Sequence, residues 1–273
     1  MTQLTCLSLW QPYATLLVLD NPATGDPFKE IETRPMPPWK TPGYRTFPGA
    51  APKPGDWIGI HATARHARER ELDQLNNAVG DLPIHFSTED TRDGLMLAVR
   101  DDEVETAFEP GAWTSGNTHG YWAPYSALVG TARIVGAVPM VRPGQRSTPE
   151  HVSIAEDGDG VTLLRWKFDG VGQSADLVEC EPIGHEYPFG WYEPGRWAWI
   201  LEDAKSVLER CPRCMDSGRV PDDRPEAPRG LHGHLQAWMP CSVCEGAGRL
   251  ARYPTVAGRQ GWWRLDLDTL AVA

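Results

Sequence analysis

The chain has 273 residues, of which 41% are hydrophobic, enough for one large domain or for a medium-sized domain that carries an insertion. The 25 prolines, 27 glycines and 12 tryptophans argue against a helical bundle and favour short strands joined by turns. The net charge of −11 gives the protein little non-specific attraction to phosphates. No apolar run is long enough to span a membrane, and the first nine residues contain no basic leader. We therefore expect a cytoplasmic protein with no membrane partner.

The first eighty residues alternate between helical and extended patterns. QPYATLLVLD predicts a helix with proline at its first position that ends near Asp20. KEIETR and DWIGIHAT alternate in polarity and predict two short strands, the first of which ends at Pro35. The proline-rich residues 35–54 predict an irregular segment held in place by Trp39 and Tyr44. ARHARERELDQLNNAVG predicts a second helix that ends at its glycine.

Strand patterns dominate the remainder of the chain. Residues 81–125 are acidic and weakly patterned, which predicts a lobe with little regular structure. The segments ALVGTARIVGAV, VTLLRWKF, RWAWILED and GWWRLDLD are rich in β-branched and aromatic residues and predict four strands. Short strands, two early helices and irregular connections together predict an α+β fold, built on a small mixed β-barrel flanked by helices.

Four of the six cysteines form two CxxC pairs, in CPRCMDSGRV and CSVCEGAGRL. Each pair offers two thiolates from one tight turn, and tetrahedral zinc takes four such ligands. The spacing predicts one structural Zn²⁺ site with no open position for substrate, formed by Cys211, Cys214, Cys241 and Cys244. A redox role for these cysteines is the alternative. The second pair resembles the CxxCxGxG repeat of DnaJ-type zinc domains, whereas the first has Asp216 in place of one glycine.

The zinc-binding segment has two interpretations. It folds a stretch of chain that has too few apolar residues for its own core, or it presents a nucleic-acid-binding surface. The second interpretation rests on the arginines that flank the cysteines, which are Arg210, Arg213, Arg219, Arg249 and Arg252.

Three blocks in this order, LSLWQPYATLLV, KEIETR and GDWIGIHATAR, resemble the ASCH domain, a PUA-like family. That family typically shows a Leu-Ser-x-x-Gln-Pro-(aromatic)-Ala opening, a Lys-x-x-Glu-x-Arg strand and an Ile-His-(small) strand. ALVGTARIVGAV, FGWYEPGRWAWILED and GRQGWWRLD resemble its later strands. The resemblance implies a PUA-like barrel in residues 1–204, a zinc insert in 205–252, and a closing strand and C-terminus in 253–273.

The resemblance also implies a cleft beside the Lys-x-x-Glu-x-Arg strand that binds RNA or single-stranded DNA, including modified bases. Lys29, Glu32 and Arg34 occupy the positions of that motif. One branch of the family hydrolyses acetylcytidine with a Lys-x-x-Thr pair, and Glu32 stands where that branch has threonine.

The residues themselves suggest ligand contacts of the same kind. On a regular strand Glu32 and Arg34 share a face, where a carboxylate can accept from a base amine and a guanidinium can hold a phosphate. Exposed aromatic rings can stack on a base, and Gln11 offers a donor and an acceptor to a base edge. The candidate ligand-binding residues are Trp10, Gln11, Lys29, Glu32, Arg34, Trp39 and His61. Structural alternatives are a buried Trp10, a structural ion-pair network at Lys29, Glu32 and Arg34, and a hydrogen-bonded core His61.

Three functions follow. The first is a nucleic-acid-binding module whose partner is RNA, DNA or a modified nucleoside. The second is a hydrolase of the amidohydrolase or ribonuclease type, with Glu32 as general base and Lys29 or Arg34 as stabiliser of the oxyanion. The third is a protein-interaction adaptor that uses the acidic residues 71–204.

Overall fold

The structure is a computed structural model. It describes residues 3–21, 25–41, 43, 51–79, 82, 84–91, 94–100, 118–142, 145, 150–157, 160–169, 176–182, 187–210, 219–221, 238–240, 249–251 and 262–266. In chain order, the helices and strands are β1 (Gln3–Leu9), α1 (Tyr13–Leu16), β2 (Ile31–Arg34), β3 (Trp57–Ala62), α2 (Glu69–Val79), β4 (Ile84–Thr91), β5 (Gly94–Arg100), β6 (Thr118–Pro124), β7 (Ala127–Pro139), β8 (Glu150–Asp157), β9 (Gly160–Asp169), β10 (Asp176–Pro182), β11 (Trp197–Ser206), β12 (Leu208–Arg210), β13 (Arg219–Pro221), β14 (Trp238–Pro240), β15 (Arg249–Ala251) and β16 (Trp262–Asp266). Short 3-10 turns lie at Pro38–Lys40 and Tyr187–Phe189. The predicted α+β class is confirmed, with strands far outnumbering helices.

The centre of the fold is a six-stranded mixed sheet in the order β16-β1-β3-β7-β11-β2. β1 and β3 run parallel, and the other neighbouring pairs are antiparallel. The strands predicted at KEIETR, DWIGIHAT, ALVGTARIVGAV, RWAWILED and GWWRLDLD all belong to this sheet, and VTLLRWKF belongs to β9. Alternating apolar side chains on β3, such as Ile58 and Ile60, pack into a core that also includes Leu7 and Trp199.

The sheet curls strongly. Trp199 on β11 and Trp262 on β16 lie on strands that are not neighbours, yet their indole rings stack with centroids 5.4 Å apart. Among the described residues β16 and β2 remain at the two edges, so these strands form an open curved sheet and do not close the predicted barrel. A closed barrel requires β16 and β2 to be joined.

The proline-rich segment between β2 and β3 is held by tryptophans that are distant in sequence. Trp199 Nε1 donates to the Met36 carbonyl at 2.9 Å, and Trp262 Nε1 donates to the Pro38 carbonyl at 3.0 Å. Trp39 is itself 41% exposed. The prediction that Trp39 anchors this segment is therefore wrong, because buried indole donors from β11 and β16 do so instead, and Tyr44 lies outside the described residues.

The first predicted helix is shorter than the sequence pattern indicates. α1 is a single turn, with Pro12 at its N-cap rather than at its first helical position. In a longer helix the carbonyl of Leu16 would accept a hydrogen bond from the backbone amide four residues later. It accepts one from the Lys29 amide instead, at 3.1 Å. The second predicted helix is confirmed as α2.

Residues 81–125 contain more regular structure than predicted. β4, β5 and β6 form a three-stranded antiparallel sheet. The prediction of a lobe with little regular structure is therefore wrong for the described part of this region. Leu95, Leu97 and Val99 alternate along β5, are fully buried, and share a core with the apolar face of α2. Asn76 of α2 secures the contact through hydrogen bonds to both backbone groups of Phe86.

A second three-stranded antiparallel sheet, β8-β9-β10, and two short ladders complete the described fold. β12 pairs with β15, and β13 pairs with β14. Among the described helices none is long and apolar enough to cross a membrane.

Candidate functional site

A cleft of about 400 Å³ opens where β1, α1 and β2 meet the loop that precedes β11. The charged and aromatic residues of its lining are Trp10, Tyr13, Glu32, Arg34, Phe189, Trp191 and Arg196. Trp10 follows directly after β1, Tyr13 begins α1, and Glu32 and Arg34 alternate on β2. The fold thus brings the segments LSLWQPYATLLV and KEIETR, which resemble the first two ASCH motifs, together at one surface.

Glu32 lies between two cations. Its Oε2 is 3.2 Å from Lys29 Nζ, and its Oε1 is 2.8 Å from Arg34 Nε. The Arg34 contact is an ion pair without hydrogen-bond alignment of the Nε–H. Because both carboxylate oxygens face cations, the position of the Glu32 side chain is restrained from two sides.

Lys29 lies beneath the cleft. Its side chain is fully buried, and its ammonium group also donates to the Ile31 carbonyl. It is absent from the described lining of the cleft. In this structure Lys29 therefore orients Glu32 from below rather than facing a ligand.

The loop before β11 forms the opposite wall. Arg196 Nη2 donates to the Thr33 carbonyl at 3.1 Å, and the Trp191 amide donates to Thr33 Oγ1 at 3.0 Å. The Arg196 guanidinium lies 4.4 Å from the centroid of the Trp191 ring, and its Nε–H has no hydrogen-bond partner among the described residues. Burial lowers the pKa of Arg196. The charge of Glu32 raises this pKa, and the charge of Arg34 lowers it further. This Nε–H is buried, so the other N–H groups of the Arg196 guanidinium are the ones available to a ligand beside the exposed indole of Trp191.

Trp10 is held in place by Arg65, a residue outside the described lining of the cleft. The Arg65 guanidinium lies 3.9 Å from the centroid of the Trp10 ring, a cation–π contact. Arg65 Nη2 donates to Glu71 Oε1 at 2.5 Å, and this hydrogen bond lowers the pKa of the Glu71 carboxyl. Trp10 remains 52% exposed. The indole is therefore both oriented by the protein and accessible to a ligand.

Tyr13 stands next to Trp10 in the same wall. Burial raises the pKa of its phenol, and the charges of Glu71 and Glu32 add to the effect. The hydroxyl therefore stays protonated in the neutral pH range and can donate a hydrogen bond to a ligand.

The remaining predicted ligand-binding residues lie elsewhere. Gln11 is buried, and its side-chain amide donates to Thr15 Oγ1 and to the Pro124 carbonyl, both at 2.9 Å. Both protons of its side-chain amide are donated to hydrogen bonds within the protein, so neither is available to the edge of a bound base. Trp39 is exposed but does not line the cleft in the part of the chain that is described.

His61 is part of the core. It is fully buried, its Nδ1 lies 3.1 Å from Ser8 Oγ, and its ring packs edge-on against Trp263. Trp263 Nε1 donates to the same Ser8 hydroxyl at 3.0 Å. This is the hydrogen-bonded core histidine that the sequence offers as an alternative to ligand binding.

Sequence reasoning missed Tyr13, Trp191 and Arg196. The predicted strand RWAWILED corresponds to β11, which begins at Trp197, whereas FGWYEPGR, which the resemblance places with the later strands, forms a turn and a loop. The signal for a loop was present, because a tryptophan and an arginine there flank the turn-forming pair Pro194-Gly195.

The four cysteines of the predicted zinc site lie outside the described residues, as do most of residues 205–273. Among the described residues no group of three or more His, Cys, Asp or Glu side chains is arranged to hold a metal ion. Comparisons of the chain with protein-family models, with curated proteins and with solved structures find no match.

Proposed function

We propose that the cleft binds a nucleotide of RNA or single-stranded DNA. The observation that carries this proposal is the pair of exposed indoles, Trp10 and Trp191, which line one cleft together with the anchored carboxylate of Glu32. Exposed aromatic rings in a charged groove are the usual way in which single-stranded nucleic acids are bound, and stacking contributes about 1–3 kcal/mol per base.

The charges of the cleft suit the same ligand. The chain as a whole is acidic, at −11, yet the described charged residues that line the cleft are two arginines and one glutamate. Arg34 and Arg196 supply donors for a phosphate or a base carbonyl, and Glu32 supplies an acceptor for an exocyclic amine. Attraction is thus local to the cleft, which favours a short ligand segment over extended contact with a duplex.

We also propose that the chain is a member of the ASCH family, with an open PUA-like curved sheet in place of a closed barrel. Two observations support this proposal. The segments LSLWQPYATLLV and KEIETR, which resemble the first two ASCH motifs, meet at the cleft. The segment GDWIGIHATAR, which resembles the third motif, contains β3, the parallel neighbour of β1. In this proposal residues 1–204 are the ASCH-like domain, residues 205–252 are the zinc insert, and residues 253–273 are the segment that adds the last strand of the sheet.

One structural Zn²⁺ bound by the two CxxC pairs belongs to the same proposal. Arg210 pairs with Arg249, and Arg219 pairs with Pro240, so two ladders join the residues that flank segments 211–218 and 241–248. Each of these segments carries one CxxC pair. Paired ends are what a shared four-thiolate site requires, and the spacing of the cysteines carries the assignment.

A hydrolase that acts on a modified nucleoside or on RNA is the second candidate. It is favoured by the position of Glu32 in the cleft with Arg34 and Arg196 beside it, because a general base must reach the substrate and cations stabilise an oxyanion. Turnover of an acylated nucleoside that Glu32→Gln abolishes would establish this candidate. Absence of product from a panel of such nucleosides would leave binding alone.

Calorimetric titration with ribonucleoside and deoxyribonucleoside monophosphates tests the proposed binding. We expect Arg34→Ala and Arg196→Ala each to weaken binding by about tenfold or more, since each removes a charge-assisted contact. Arg165→Ala is the matched control, because Arg165 is also ion-paired, to Glu150, but lies on β9 and lines no cleft described here. Equal affinities for wild type and the two cleft variants would overturn the proposal.

A further inference from the structure

A second cleft of about 240 Å³ adjoins the first. Trp10 and Tyr13 line both clefts, so these two side chains form the wall between them. The far side of the second cleft is the surface of α2, together with Pro188 from the 3-10 turn before the loop. The two cavities are therefore neighbours across a wall that is one aromatic side chain thick.

The lining of the second cleft combines apolar and polar groups. Ala67, Leu72 and Leu75 supply apolar surface, and Gln74 offers an amide donor and acceptor at the exposed side of α2. Arg65 and Glu71 complete the polar part. An apolar pocket with a few polar groups at its rim fits a flat heterocycle, whose faces are apolar and whose edges form hydrogen bonds.

We propose that the second cleft takes the nucleotide that is joined to the one in the first cleft, so that the ligand is a strand of at least two nucleotides. This inference rests on the proposed function of the first cleft and names its substrate class as an oligonucleotide. In this arrangement one base lies on the first-cleft side of Trp10, and the next base lies against the Arg65 guanidinium that covers the Trp10 ring on the side of the second cleft.

Arg65 is positioned for the link between the two nucleotides. Its guanidinium stacks on Trp10 at the shared wall and donates one bond to Glu71. A guanidinium has five N–H donors, so others remain for the phosphodiester that must pass this wall. The Glu71 contact fixes the plane of the guanidinium and lowers its freedom to move away from Trp10.

The side chain of Ala78 provides a way to fill the second cleft alone. Ala78 lines this cleft, is exposed on α2, and does not line the first cleft. Ala78→Phe therefore occupies the cavity from the helix surface without replacing a core residue. Asn77→Phe is the matched control, because Asn77 is the adjacent exposed residue and lines neither cleft in the described structure.

The experiment compares the affinities of nucleoside monophosphates with those of homotetranucleotides, in both the ribose and the deoxyribose series. We expect tetranucleotides to bind wild type about 5- to 150-fold more tightly than monophosphates, which corresponds to one additional stacked base. Ala78→Phe should remove this gain and leave monophosphate affinity unchanged, whereas Asn77→Phe should retain it. A larger gain in affinity in the ribose series identifies the strand as RNA, and a larger gain in the deoxyribose series identifies it as DNA.

The outcomes separate the two proposals. Monophosphate binding with no gain for tetranucleotides, or a gain that Ala78→Phe retains, overturns the second site and leaves the first. No binding of any monophosphate or tetranucleotide overturns both. Gln74→Phe fills the same cleft one helical turn earlier, at an exposed position, and repeats the test if Ala78→Phe fails to fold.

Discussion

Lys29 Nζ lies 3.2 Å from Glu32 Oε2, and Lys29 is fully buried while Glu32 faces the cleft. Loss of one partner from a buried ion pair leaves an uncompensated charge and costs about 3–5 kcal/mol. We expect Glu32→Gln to lower the free energy of unfolding by about that amount, because among the described residues the buried ammonium then keeps the Ile31 carbonyl and a neutral amide as its partners. Urea denaturation measures the change.

The double variant Lys29→Met, Glu32→Gln should recover much of this loss, because neither buried charge remains. The exposed pair Arg133 and Glu202 is the control, and the corresponding double-mutant cycle should give a coupling of at most about 1 kcal/mol. Additive effects of Lys29→Met and Glu32→Gln would show that the two side chains are not coupled.

Gly130 and Gly136 both lie on β7 but have different surroundings. A Cβ atom on Gly130 would lie 2.5 Å from the Lys205 carbonyl oxygen and 2.4 Å from a methyl carbon of Val18, whereas one on Gly136 meets nothing within 4 Å. Gly130→Ala should therefore lower the free energy of unfolding by about 1–3 kcal/mol. Gly136→Ala should stay within about 0.5 kcal/mol of wild type. Equal effects of the two substitutions would contradict the close packing of Val18 and Lys205 against Gly130 of β7.

The cysteines make the proposed zinc site measurable by thiol counting. Cys180 is exposed, whereas Cys6 is buried and its burial raises the pKa of the thiol to about 12. With zinc on four of the six cysteines, a thiol reagent should modify one thiol in the native protein. After chelation it should modify five, and after denaturation all six.

Metal analysis should find one zinc ion per chain, released as the four additional thiols react. Cys180→Ser should lower each of the three thiol counts by one and leave the zinc content unchanged. Thiol counts that do not change on chelation would exclude the zinc site.

The sequence predicted the strands of the central sheet well, because their β-branched and aromatic residues alternate and their ends carry turn residues. It also brought Glu32, Arg34 and Trp10 to one place, through motif positions that the structure unites in one cleft. For Lys29 the sequence offered both a ligand contact and a structural ion pair and could not decide between them, and the internal role of Gln11 was not predicted. Both side chains are polar, and only the tertiary packing shows that they are buried and bonded internally.

Trp191 and Arg196 escaped prediction for a related reason. The loop that holds them contacts β2 through Thr33, more than 150 residues away in the chain. Long-range contacts of this kind depend on the curvature of the sheet, which no local pattern encodes. β5 was missed because Met96 and Ala98, which lie between Leu95, Leu97 and Val99, are also apolar, so the polarity of this strand does not alternate.

The central claim is that Trp10 and Trp191 stack on the bases of a bound strand, and equilibrium binding of homotetranucleotides to three alanine variants tests it most directly. Trp10→Ala and Trp191→Ala should each weaken binding by about 1–3 kcal/mol, or about 5- to 150-fold. Trp57→Ala, which removes an indole that is 46% exposed and lines neither cleft in the described structure, should bind like wild type. Affinities that are the same for wild type and all three variants would contradict the account.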